Sequence, residues 1–137
     1  MSERAVELVR SGFSAVNRGD VLALLELCHE DVEWVPLRPS RAGMMFRGHS
    51  GVARAIEELR DEFEELTHEP RELTVVDDMV VVSGRLVAKE RATGVRIDRA
   101  AGWLCTLRGD RLARMHAFPD GESAMAAAGR STAATGI

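Results

Sequence analysis

Three short stretches, Asn17-Arg18-Gly19-Asp20, His29-Glu30-Asp31-Val32-Glu33-Trp34-Val35-Pro36 and Phe46-Arg47-Gly48-His49, decide how this chain is read. Upstream of them, Val6, Val9, Phe13 and Val16 recur at steps of three and four, which predicts a helix from a Ser2 cap to about Asn17. Asn17 and Gly19 supply a reversal. Asp20 then caps a second, short helix whose apolar stripe is Val21, Leu24, Leu25 and Cys28. Residues 31–36 read as a short strand, stopped by Pro36 and Pro39 because proline has no N–H for a ladder. A loop over 37–48 carries Arg38, Arg41, Met44 and Met45. Ser50 caps a third helix, in which Val52, Ile56, Leu59, Phe63 and Leu66 share one face. The opposite face of that helix is acidic from Glu57 to Glu65 and reads as solvated.

After Pro70 the periodicity shortens to that of strands. Segments 73–76, 79–91, 95–108 and 111–119 are rich in β-branched residues, and Asp77-Asp78, Thr93-Gly94 and Gly109-Asp110 between them are turn signals. The expected class is α+β, with helices packed on one face of a mostly antiparallel sheet. Residues 121–128 predict a short helix ended by Gly129, followed by a loose tail over 130–137. A single domain over 1–129 is the expectation for 137 residues without a repeat or linker.

Composition narrows the function classes. The chain is 45% apolar and 29% charged, with a net charge of −4 and no basic cluster, which argues against nucleic acid as a partner. No apolar run is long enough to span a membrane, and the first residues lack the pattern of a secretory leader, so a cytoplasmic address is expected. Cys28 and Cys105, in apolar surroundings on different elements, read as buried free thiols. His29, His49, His68 and His116 have no partners at ligand spacing, so neither a metal nor a cofactor is expected.

The order of Asn-x-Gly-Asp, Asp-Val-Glu-Trp and Phe-Arg-Gly, with a sheet-rich second half ending in Ala117-Phe118-Pro119-Asp120, resembles the SnoaL-like branch of the nuclear transport factor 2 (NTF2) superfamily over roughly residues 3 to 128. The resemblance implies a cone-shaped NTF2-like fold, with three N-terminal helices packed on a curved sheet and a pocket inside. It also supplies catalytic sets to look for. Ketosteroid isomerases of this fold use a tyrosine and two aspartates. Their positions fall here on Gly12, Val35 and Trp103, and the chain contains no tyrosine. The Asp-Arg-Asp set of limonene-type epoxide hydrolases falls on Gly84, Leu86 and Ala117. Polyketide cyclases of the branch use a late, inward-facing aspartate, for which only Asp110 and Asp120 are available, in a turn and beyond a proline.

The same alignment implies which side of each strand faces the pocket: Glu33 and Val35 on the first; Val82, Gly84, Leu86, Ala88 and Glu90 on a long middle strand; Arg99, Ala101, Trp103 and Cys105 on the next; Ala113, Met115 and Ala117 on the last. Phe13 and Val16 come from the first helix, and Met44 or Met45 is placed at the mouth. The expected ligand site is therefore Phe13, Val35, Met45, Leu86, Trp103, Met115 and Ala117, suited to a small apolar or aromatic molecule. Glu33 and Arg99 are the polar exceptions. Facing one another, they make a general base and an anion-stabilising cation; the alternatives are a structural ion pair, or Glu33 turned outward by a one-residue slip. Trp34, on the opposite parity, reads as core or interface, and Asp120 as a helix cap. The outer sheet face (Arg85, Val87, Leu104, Thr106, Arg114, His116 and Phe118) is compatible with a homodimer. Three functions thus remain: a small-molecule binding domain, a cofactor-free isomerase or cyclase using Glu33 with Arg99, and a noncatalytic dimeric interaction module.

Overall fold

Helix α1 spans Ser2–Arg18 and buries Val9 and Ala15, with Leu8, Phe13 and Val16 on the same side. The reversal falls where expected: Gly19 takes φ +67°, and the Asp20 carboxylate accepts the backbone N–H of Ala23 at 3.1 Å to cap α2, Val21–Leu27. The structure is a computed structural model that describes residues 2–37 and 45–135, with side chains over 3–37 and 45–130. Arg38, Arg41 and Met44 lie outside the described residues.

Strand β1 (Cys28–Val35) and the two-residue β2 (Phe46–Arg47) come before helix α3 (Gly48–Glu62). Four strands then follow or flank turns: β3 Phe63–Val76, β4 Met79–Glu90, β5 Arg96–Arg108 and β6 Arg111–Phe118. Helix α4, Gly121–Thr135, closes the described chain. The sheet order is β2-β1-β6-β5-β4-β3, antiparallel throughout except for the parallel pair β1–β6. This is an α+β architecture with a six-stranded mixed sheet. Only two helices lead the chain rather than three, since α3 is reached after two strands, and a fourth follows the last strand.

Two boundaries differ from the sequence reading, each for a physical reason. Phe63 and Leu66 continue the apolar spacing of α3, yet Phe63 is already extended (φ −115°, ψ 131°) and opens β3. Here pairing with β4 over Phe63↔Glu90 to Val76↔Met79 overrides helical periodicity. Pro70 sits inside β3, where it is tolerated because β3 is an edge strand and the ladder is irregular between Pro70 and Glu72. The other boundary is Gly129, which lies within α4 rather than ending it, so the helix enters the segment expected to be a loose tail.

The sheet is covered on both faces, and the alternation along β4 shows it. Val80 and Val82 are buried with Val9, Leu24, Val32, Val52, Ile56 and Leu112, so α1, α2 and α3 share one face. Met79 and Val81 are buried with Leu104, Ala124 and Ala128, which places α4 on the other. α4 docks closely because its first turn meets glycine: a Cβ on Gly102 would lie 2.1 Å from the Asp120 carbonyl oxygen. The Asp120 carboxylate caps α4 through the Ser123 backbone N–H at 2.8 Å, and that bond holds its carboxyl below the usual range.

Candidate functional site: an apolar cavity between the helices and the sheet

A cavity of about 370 Å³ opens between α1, the end of β1 and the inner faces of β3 to β6. Phe13 and Trp103 meet across its floor edge to face, with ring centroids 4.9 Å apart at 73°. Leu86 from β4 and Met115 and Ala117 from β6 continue the apolar wall, and Trp34 and Val35 close it from β1. On β4 and β5 the lining residues share one parity; on β6, Leu112 and Phe118 line the cavity with Met115 and Ala117, and Ala113 does not. Phe13, Val35, Leu86, Trp103, Met115 and Ala117 all line the cavity. Met45 is placed elsewhere: it is 39% exposed and does not contribute to the wall.

Glu33 is turned to the other side of β1. Val32 is fully buried, and its neighbour Trp34 packs against the same core cluster, which fixes the parity of the strand. From Glu33 to Val35 the strand pairs with β6 in regular register, beyond a shift between Cys28 and Glu33. Glu33 consequently stands in the ladder between Arg47 of β2 and Arg114 of β6. Its carboxylate lies 2.7 Å from the Arg47 guanidinium and 3.5 Å from that of Arg114. Opposite charges in register across neighbouring strands attract, so this row is held on the face away from the cavity. The geometry does not bring Glu33 and Arg99 together.

Arg99 does line the cavity, near its exposed end, and makes no ion pair among the described residues. The carboxylate that lines the cavity with it is Glu90, at the end of β4, which accepts a hydrogen bond from the Thr93 hydroxyl at 3.3 Å. Arg85 and Asp98, by contrast, bond to each other at 2.6 and 2.8 Å and do not line the cavity. Cys105 is also a wall residue, and burial pushes its thiol up to about 12, which leaves it protonated and inert. Cys28 is likewise a buried free thiol.

The polar group that the sequence did not single out is His68. It belongs to β3 and lines the cavity. The side-chain amide of Asn17, in the last turn of α1, pairs with its backbone like a neighbouring strand: Asn17 Nδ2 donates to His68 O at 2.9 Å, and His68 N–H donates to Asn17 Oδ1 at 2.8 Å. The imidazole lies 5.7 Å from Trp103 and 6.2 Å from Phe13, centroid to centroid. Burial among these rings pushes it down to about 4, so it is neutral at physiological pH. Trp34, expected as core or interface, also lines the cavity, although the plain alternation Asp31, Val32, Glu33, Trp34 already points the tryptophan inward.

A small α+β domain with a mixed six-stranded sheet and a cavity under its N-terminal helices is an NTF2-like fold. Residues 9–115 match the SnoaL-like domain family, and the chain belongs to that family. Solved structures agree on the fold. TerC, co-crystallised with polyporic acid, is 23% identical, with a TM-score of 0.75 over 88% of this chain and 94% of that one. An NTF2-like protein from Burkholderia xenovorans LB400 is 23% identical, with a TM-score of 0.73 over 92% and 96%. A protein with a ketosteroid isomerase-like fold from Catenulispora acidiphila, in complex with trimethylamine, is 15% identical, with a TM-score of 0.74 over 90% and 92%. At these identities the likeness is one of fold. No curated protein sequence matches the chain significantly. Among the described residues, no three His, Cys, Asp or Glu side chains converge as a metal site, and no helix is long and apolar enough to cross a membrane.

Proposed function

We propose that this domain binds a small, mostly apolar or aromatic molecule in the cavity beneath α1. The observation that carries the reading is the wall itself: about 370 Å³ enclosed by Phe13, Trp34, Leu86, Trp103, Met115 and Ala117, with few polar groups. Small-molecule sites are concave, mostly apolar and about 300–1,000 Å³ in volume, so this cavity sits at the small end of the range. That TerC and the Catenulispora acidiphila protein were crystallised with small molecules supports the reading by analogy of fold. The test is a panel of small aromatics scored by thermal shift and by quenching of tryptophan fluorescence, since both tryptophans line the wall. Binders should raise the melting temperature and quench. A panel without a single binder would overturn the proposal.

A second reading makes the same cavity a cofactor-free isomerase or cyclase. Arg99 favours it, as a cation at an apolar wall with no ion-pair partner among the described residues, suited to an enolate. Glu33 faces away, so the base at the wall would be Glu90. An enolisable cyclic ketone in D₂O should then exchange its α-protons faster with the protein than with Glu90→Gln. Equal rates leave a binding protein.

Self-association through the outer sheet face is also part of the proposal. Because α4 covers Leu104 and packs against Phe118, a dimer would use the remaining part, around Val87, Arg114 and His116. Sedimentation velocity should then show a dimer; a monomer at high micromolar concentration would reject it.

A further inference from the structure

We propose that His68 is the polar anchor of the cavity, presenting a neutral Nε2 lone pair that selects aromatic ligands carrying a hydroxyl. This inference rests on the cavity being a ligand site and names the ligand's chemistry. The tautomer follows from Asn17. Its Oδ1 already accepts the backbone N–H of His68 at 2.8 Å, and its Nδ2 donates to the carbonyl of the same residue at 2.9 Å. The two bonds fix which amide atom is oxygen, so there is no freedom to flip. His68 Nδ1 lies 3.3 Å from that same oxygen. Facing an atom that can only accept, Nδ1 must carry the proton, which leaves Nε2 as an acceptor.

Nε2 has no protein hydrogen-bond partner among the described residues, and the ring borders the cavity. A buried acceptor left unmatched is costly, and a ligand O–H placed there removes that cost. An anion is disfavoured at this atom: the imidazole resists taking up a proton, so Nε2 offers it a lone pair and no proton. The rest of the surroundings is aromatic and apolar, with Phe13 and Trp103 in ring contact with His68 and Met115 on the same wall. A neutral phenol matches both parts, its ring against the apolar wall and its hydroxyl donating to Nε2. The converse holds for a methyl ether, which has the ring but lacks the proton; a site built to hydrogen-bond a hydroxyl rejects an analogue without one.

The experiment measures dissociation constants of naphthalene, 2-naphthol and 2-methoxynaphthalene for the wild-type chain and His68→Phe by fluorescence titration. The wild type should bind 2-naphthol at least about tenfold more tightly than its methyl ether. In His68→Phe that preference should vanish while naphthalene still binds. Equal binding of all three by the wild type overturns the anchor but leaves an apolar ligand cavity; binding of none overturns both. A preference that survives in His68→Phe also overturns it. If His68→Phe does not fold, ¹⁵N NMR of the wild-type imidazole decides: Nδ1 protonated, with an Nε2 resonance that moves on adding 2-naphthol, is the expected result, and a proton on Nε2 overturns the proposal.

Discussion

At the scale of single residues, the chain's least conspicuous histidine and its most conspicuous glutamate exchange places. His68 is pushed down to about 4 by burial, against an ordinary value of 6.5. Between those two values the unfolded chain binds a proton that the folded chain refuses. Stability therefore falls as pH drops through that window and is insensitive to this group above it, by a contribution on the order of 3 kcal/mol at the acid end. His116, lowered by burial and by Arg114, acts in the same direction. Urea denaturation at neutral pH and near pH 4.5 should show this loss in the wild type and a smaller one in His68→Gln. Glu33 belongs to the architecture instead. Glu33→Ala leaves Arg47 and Arg114 facing each other and should cost roughly 1–2 kcal/mol in denaturation, with ligand affinity unchanged.

At the scale of elements, close backbone approaches decide the shape of the sheet. Gly84 on β4 faces the irregular step around Pro70 on β3, where a Cβ would lie 2.0 Å from the Glu69 carbonyl oxygen. Gly84→Ala should therefore force the edge strand away and destabilise the fold by roughly 1–3 kcal/mol, as overpacking does; an unchanged denaturation midpoint would show that the strand yields freely. The α3–β3 junction is held by Arg91, whose guanidinium donates to the carbonyl of Arg60 in the last turn of α3 at 2.8 Å and to that of Phe63, the first residue of β3, at 3.1 Å. This anchor comes from residue 91, beyond the far end of β4, which is why the sequence around Glu62 gives no sign of where the helix stops.

For the whole molecule, the cavity is a property of the assembly of helices on the sheet rather than of any segment. Filling it should separate binding from folding. Leu86→Trp adds bulk to a wall with about 370 Å³ of open space beside it, so the melting temperature should hold or rise. Binding of aromatic ligands should be lost, as read by thermal shift. A variant that still binds would place the ligand elsewhere.

What the sequence determined by itself is local and periodic. The Asn17–Asp20 reversal and its cap, the helical stripes around Val9 and Val52, the hairpin turns, and the inward parity of Leu86, Trp103, Met115 and Ala117 are all legible, because each rests on spacing within one element or on a turn residue. The family resemblance is legible too, since it lies in the order of those elements. Tertiary structure alone decided the rest: Phe63 and Leu66 fit both a helix and a strand, and pairing with β4 chose the strand. The facing of β1 was set by its neighbours, with Val32 buried in the core and Arg47 and Arg114 flanking Glu33. His68 acquired its environment only when Asn17, fifty-one residues earlier in the chain, was brought against it. A single-residue register choice and a contact between distant segments cost too little sequence information to be read, yet they fix which polar group stands in the cavity.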